Sequence, residues 1–457
     1  MQDSIGLPPM YVPACFGQDV ELPAYSVSSD AGRSIFPSAL SPTEPAFNGS
    51  AEFRHDLPFK GKNSKSSASL VLYGDAAFSK QFPTYLEDSN LQGTVKVNLE
   101  NSEAVNTVVV SLRGQIVSGA STRTFFESSQ TLWPHSSPLS NSNSPTKLEG
   151  EHEWPFSMNI PKEVPLSTGS KDASRNELVR LPHNCLERRL PAGIEYQVIL
   201  RFTRGLFKTD YRIIAPFGYI PIIRPDLPSP RRQLAYQENT AIPGPLADPE
   251  GWYSLPSRQI AGRLFNRQSA EATCTLSLAL PLSYTRGSVI PLHLVIQSYN
   301  TQALEALSSP RAIVCRLRRS LRYLSSEDLR ENKQPGKVQQ DHSELATWWS
   351  SPADVVEKET FRRTLHGEIS LPPDLKPTTD IGKFHLEYSV VLFSFDSTSF
   401  QTSSSHSSQD VLLTHPVRIA TAFASGPLPR TYTPESSSFS DFGSGSSQGL
   451  AHAPGFF

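Results

Sequence analysis

The chain is poor in cysteine, in long apolar runs and in charge of either sign, and it carries no common catalytic fingerprint. Its four cysteines, Cys15, Cys185, Cys274 and Cys315, lie far apart in 457 residues, with no C-x-x-C pair and no metal-ligand spacing. That scatter excludes a disulfide-stapled secreted module and fits thiols kept in a reducing compartment. No apolar run approaches the roughly 18 residues a spanning helix needs. The opening MQDSIGLPPM has neither the basic nor the apolar stretch of a secretory leader. A cytoplasmic protein with at most peripheral membrane association is expected. Lys and Arg number 42 against 44 Asp and Glu, so bulk charge gives no case for nucleic acid as a partner.

Motifs for chemistry are also missing. There is no G-x-S-x-G, no phosphate-binding glycine loop and no dinucleotide fingerprint. In Gly150-Glu151-His152-Glu153-Trp154-Pro155 the position four after His152 is Phe156, and Pro155 forbids the regular helix that would present two histidines to zinc. This segment reads as the polar face of a strand. Asp441-Phe442-Gly443 spells a kinase triplet without a glycine-rich loop, a paired lysine or a catalytic loop, and is coincidental. No catalytic residue, metal or cofactor is expected.

What the chain does have is proline, 39 residues of it, and recurring Ser/Thr clusters. Hydrophobic residues make up only 37%, so parts of the chain are expected to be disordered: 1–66, 134–147, 325–353 and 425–457. The first of these carries Pro8-Pro9-Met10-Tyr11 and Leu22-Pro23-Ala24-Tyr25, which fit the PPxY and LPxY patterns that WW domains read. Proline pre-sets φ near the polyproline II value, so docking such a segment costs little conformational entropy. Pro8, Pro9, Tyr11, Leu22, Pro23 and Tyr25 are the candidate WW-ligand residues, and two tethered copies raise avidity through effective concentration.

Between the loose segments the pattern is that of strands. Thr94-Val95-Lys96-Val97-Asn98-Leu99 alternates with period two, and Leu70–Tyr73, Thr107–Val117, Thr122–Leu132, Gly150–Ile160, Gly193–Thr203 and Phe207–Ala215 follow suit, separated by Gly, Pro, Asn and Ser. A second block comprises Ala272–Pro281, Val289–Gln297, Arg311–Arg318, Thr360–Leu371, Lys383–Phe395 and Asp410–Ala420. The expected fold is all-β: two tandem immunoglobulin-like antiparallel β-sandwiches over 67–222 and 270–424, with an extended connector at 223–269 and disordered tails at 1–66 and 425–457.

Several segments resemble one family. Leu72-Tyr73-Gly74 and Leu91-Gln92-Gly93-Thr94-Val95 are similar to the first strands of the arrestin N-domain, and Leu148 to Pro161, with its Trp154-Pro155-Phe156 core, to a later one. Leu190-Pro191-Ala192-Gly193-Ile194-Glu195-Tyr196-Gln197-Val198 resembles the strand after that. In the second block, Ala279-Leu280-Pro281 with Arg286 to Leu292 resembles the opening of the arrestin C-domain, and Phe384 to Val390 its late strand. The likeness covers about 69–222 and 270–422 and is nearest to fungal arrestin-like proteins of the α-arrestin class, many of which carry PPxY motifs. Many of those place the motifs after the second domain, whereas here they precede the first. Ser-rich or longer insertions stand near 134–147 and 325–358, and the buried charge network of visual-type arrestins has no assignable counterpart in the sequence, so no phosphate-triggered switch is expected.

The resemblance implies a non-enzymatic trafficking adaptor. Its tail would engage a WW-domain ubiquitin ligase of the HECT class, and its sandwiches the cytosolic segments of membrane transporters or receptors, at the plasma membrane or endosomes. The alternative is an endosomal coat or scaffold subunit of arrestin fold without ligase recruitment. Two further features stay open. Arg316, Arg318, Arg319 and Arg322 form either a solvated strand face with local ion pairs or a contact for anionic lipid or a phosphorylated or acidic cytosolic tail. Trp348-Trp349 either folds back onto its sandwich or forms an exposed anchor.

Overall fold

The computed structural model describes residues 51–59, 66–75, 79–119, 121–133, 147–167, 176–187, 190, 192–204, 209–323, 337–350, 360–403 and 410–433. These residues all fall in one compact unit. Its first half runs β1 (Ala51–Pro58), β2 (Ser67–Gly74), β3 (Thr84–Leu86), β4 (Asn90–Ser118) and β5 (Ser121–Trp133). Then come β6 (Lys147–Asn159), β7 (Glu163–Ser167), β8 (Asn176–Arg180), β9 (Ala192–Arg204) and β10 (Tyr211–Ile220). A helix, α1 (Pro230–Glu238), leads to β11 (Trp252–Ser254), β12 (Arg258–Leu264), β13 (Gln268–Ala279), β14 (Ser283–Thr285) and β15 (Val289–Gln297). After α2 (Thr301–Leu307) follow β16 (Cys315–Tyr323), β17 (Lys337–Leu345), β18 (Thr347–Ser350) and β19 (Arg362–Ser370). The last are β20 (Thr379–Ile381), β21 (Phe384–Phe393), β22 (Phe400–Thr402) and β23 (Val411–Ala420).

The fold is all-β and mostly antiparallel. In the first half the long strand β4 belongs to both layers. Its N-terminal part pairs with β2 and β6, from Asn90 opposite Asn159 to Leu99 opposite Gly150. After a break in register between Leu99 and Glu103, its C-terminal part pairs with β5 and β9. Side chains alternate across each strand, so Leu91, Val95, Val97 and Leu99 meet Val108, Val110, Leu112, Val198, Leu200 and Phe202 in a shared core. Each such side chain contributes about 2 kcal/mol by leaving water.

The second half has two sheets, β18-β19-β15-β13-β12-β22 and β14-β23-β21-β16-β17. They close over Leu276, Leu278, Leu292, Leu294 and Leu365 from one side and Leu317, Leu386, Val390 and Val417 from the other. The helices are short and capped. Ser229 accepts from the Arg232 backbone N–H at 3.3 Å with Pro230 at the first turn, and Asn300 accepts from that of Ala303 at 3.0 Å.

Four expectations need correction. Residues 51–58, read as tail, form an edge strand on β2, with Ala51 opposite Gly74. Its charged residues Glu52, Arg54 and Asp56 hid it, yet charge is what a sheet edge carries. The segment read as an extended connector holds α1 and two strands, because Ile260 and Leu264 alternate inward on β12 despite the prolines before them. Much of 325–353 is also ordered: β17 pairs with β16, and β18 with β19. Finally, residues 425–433 continue from β23 as a described segment hydrogen-bonded to β19. Apart from Phe59 and Ser66, the rest of both expected tails lies outside the described residues.

Candidate functional site

The polar groups that the fold concentrates lie where the two halves meet. In β16 the odd positions Cys315, Leu317 and Leu321 are buried in the core. Arg319 shares their side of the strand, between Leu317 and Leu321, and reaches the other half. Its guanidinium donates to both carboxylate oxygens of Glu187, at 2.9 and 3.0 Å, and lies 3.4 Å from Asp341. Burial works against the charge on Arg319. The hydrogen bonds and charge of Glu187 outweigh it and hold the group above the ordinary arginine range. A two-pronged guanidinium–carboxylate pair fixes orientation as well as distance.

Beside it, Arg286 of the second half donates to His183 Nε2 of the first, at 3.1 Å. A guanidinium can only donate, so that nitrogen is bare and Nδ1 carries the proton, which it gives to the Asn184 carbonyl at 2.6 Å. Burial pulls His183 well below its ordinary pKa, and Lys376 and Arg286 add to this. Burial also lowers Lys376 and Arg286. His183 is therefore a neutral, fully engaged spacer between cations, not a free base.

Main-chain ties complete the junction. As the chain leaves β10, Ile223 N–H donates to Thr421 Oγ1 at 2.8 Å, and that hydroxyl donates to the Pro221 carbonyl at 2.5 Å. Thr421 and Ala422 return N–H bonds to the Ile223 carbonyl at 3.0 and 2.9 Å, and Arg224 donates to that of Phe423 at 2.6 Å. Buried Glu87 receives the Ile222 N–H at 2.8 Å, with Lys162 at 2.9 Å and Arg180 at 3.2 Å. In α1, buried Arg232 donates to the carbonyls of Leu280, at 2.6 Å, and Gly251. The bonds of Thr421, Ala422 and Phe423 to Ile223 and Arg224 let the junction act as a brace between the halves.

The candidate residues fall in different places. Pro8, Pro9, Tyr11, Leu22, Pro23 and Tyr25 lie outside the described residues. Arg316, Arg318, Arg319 and Arg322 sit on β16 but do not converge on one face. Arg318 donates to Thr414 Oγ1 at 3.1 Å, and Arg322 pairs with Glu387 at 2.5 Å. Arg319 turns to the junction, while Arg316 is half-buried. Trp348 and Trp349 fold back: Trp348 is buried over Gly367, and Trp349 is half-buried beside a cavity. His152 stacks on Trp154 at 5.4 Å, on the side of β6 that also carries buried Phe156 and Met158. Cys185, Cys274 and Cys315 are buried free thiols, and burial pushes each up, Cys185 to about 12 and Cys274 to about 11. Among the described residues, no group of three or more His, Cys, Asp and Glu is placed to hold a metal, and no helix is long and apolar enough to cross a membrane.

Sequence reasoning missed the brace. Glu187 and Arg319 are 132 residues apart, and a loop carboxylate has no periodicity to mark it. The one available sign was Arg319 itself, a charge at a position whose neighbours of equal parity are all apolar.

No curated protein matches the chain. Residues 75–175, which follow β2 and end just before the first residue of β8, match the family of the arrestin (or S-antigen) N-terminal domain. Over that stretch of its first half the chain is similar to an arrestin N-terminal domain.

Proposed function

We propose that the protein is a non-enzymatic cytoplasmic adaptor of the α-arrestin class, working peripherally at the plasma membrane or endosomes. In this reading Tyr11 and Tyr25, with their prolines, hold a WW-domain ubiquitin ligase of the HECT class. The two β halves hold the cytosolic segment of a membrane transporter or receptor. Ligase and cargo then share one scaffold, and the raised local concentration drives ubiquitination and uptake. The observation that supports this best is order along the chain: two WW-type motifs within the first 25 residues, then an arrestin N-terminal domain inside a braced β unit. A stiff brace matters to such a device, because a loose junction would dilute that local concentration.

The test is capture of the full chain on immobilised WW domains, with and without Tyr11→Ala plus Tyr25→Ala. Loss of at least ten-fold in retained protein is expected. Undiminished capture overturns the ligase role and favours a coat or scaffold subunit of arrestin fold.

A further inference from the structure

After β23 the chain does not leave the second half but runs along it as a strap. Phe423 is held at one end through its carbonyl by Arg224. At the other end Thr431, Tyr432 and Thr433 converge on Glu368, a β19 carboxylate only 2% exposed. Thr431 Oγ1 donates to Glu368 Oε2 at 2.7 Å, and Tyr432 N–H to Oε1 at 2.9 Å. Thr433 adds its N–H at 3.2 Å and its hydroxyl at 2.8 Å, both to Oε2. A buried carboxylate is tolerable only when its lone pairs are filled, and here the strap fills them. Tyr432 also stacks on Tyr236 of α1, with ring centres 6.5 Å apart, and donates to the Ala235 carbonyl at 3.4 Å. Its ring helps to close a cavity of about 170 Å³ lined by Trp252, Leu292, Trp349 and His366, larger than one of ~150 Å³ that takes benzene.

The attachment is lopsided. Leu428, Arg430 and Thr431 are exposed, and beside them Pro427 and Pro429 are only half-buried. Its far end depends on hydroxyls and amides facing a single negative charge. Thr431 is both exposed and bonded to that charge.

We propose that Thr431 is a phosphorylation site whose modification unseats the strap from Glu368 and opens the cavity under Tyr432. A protein kinase would supply a nucleoside triphosphate. The Thr431 oxygen bonds to the terminal phosphorus, the bond to the bridging oxygen breaks, the nucleoside diphosphate leaves, and the hydroxyl proton passes to the kinase's base. The product loses its donor and places nearly two negative charges beside the carboxylate that the donor served. Like charges held that close at a desolvated site repel strongly. The inference goes beyond the adaptor reading and stands whether or not a ligase is recruited.

The test uses the full chain with phosphothreonine installed at 431, the unmodified chain, and Thr431→Val. Hydrogen exchange is read at the Tyr432 and Thr433 amides, which donate to Glu368. Phosphorylation is expected to speed exchange at least thirty-fold, and valine only a few-fold. With Glu368→Gln the phosphate effect should shrink below three-fold, because the repelling charge is gone. Unchanged exchange in the phosphorylated chain, or an undiminished effect with Glu368→Gln, overturns the proposal. Should Glu368→Gln fail to fold, acrylamide quenching of Trp349, taken as the difference from Trp349→Phe, replaces it. Quenching must rise on phosphorylation, and no rise is equally fatal. Mass spectrometry of the chain from its own cells should find phosphate on Thr431, and its absence there removes the site.

Discussion

At the scale of single residues, buried histidines give the fold a pH dependence with a definite sign. Burial, with His366 and Arg362 nearby, pushes His293 down to about 3, and His183 is also driven well below its ordinary value. In the unfolded chain both titrate near 6.5. Between those values the unfolded state binds more protons, so stability rises with pH. It is fully present above about 6.5 and is lost as pH falls towards 3. Near pH 5 His293 contributes a slope of about 1.4 kcal/mol per pH unit. His293→Phe keeps a ring of similar size against Trp252, 5.8 Å away, and removes one titration. Urea unfolding between pH 4.5 and 7.5 should show the slope flatter by about that amount. An unaltered slope would mean that His293 charges freely in the native protein.

At the scale of elements, β18 shows how one glycine admits a strand. Trp348 lies over Gly367 of β19, and a Cβ there would meet the indole at 2.5 Å. Gly367→Ala should therefore push Trp348 off β19 at a cost of about 2 kcal/mol. The denaturant midpoint should fall and tryptophan emission move to the red, and emission that stays put would show that the indole yields without leaving. This element also marks the edge of what was legible. Strands such as β2, β15 and β21 announce themselves through apolar runs and alternation, since both their neighbours and the core demand it. The edge and outer strands β1 and β17 are rich in charge and amide because one face meets water, and their signal drowns in polar composition. Pairing alone orders them, and pairing is not written locally. The same reason hid the strap: Thr431 and Thr433 look like any tail residues until Glu368, more than sixty positions away, comes beside them.

At the scale of the whole molecule, the question is whether the two halves unfold as one. Arg319 and Glu187 join them through two parallel hydrogen bonds, with side chains 17% and 30% exposed. That burial sets the pair apart from surface ion pairs, which are typically worth less than about 1 kcal/mol. Reversing either charge alone leaves like charges facing each other at the junction, and should cost about 3 kcal/mol. Reversing both, Arg319→Glu with Glu187→Arg, restores opposite signs at the same distance. Asp341, 3.4 Å from Arg319, then faces a carboxylate, so recovery should be partial, about 2 kcal/mol. A double-mutant cycle in urea measures this coupling directly. The single variants should also broaden the transition, as the halves begin to melt separately. Strictly additive costs with a sharp transition throughout would place the brace elsewhere, in the ties of Thr421 and Ala422 to Ile223. Those ties run through main-chain groups and an uncharged hydroxyl, which no charge reversal can touch, so the two outcomes separate a side-chain brace from a backbone one.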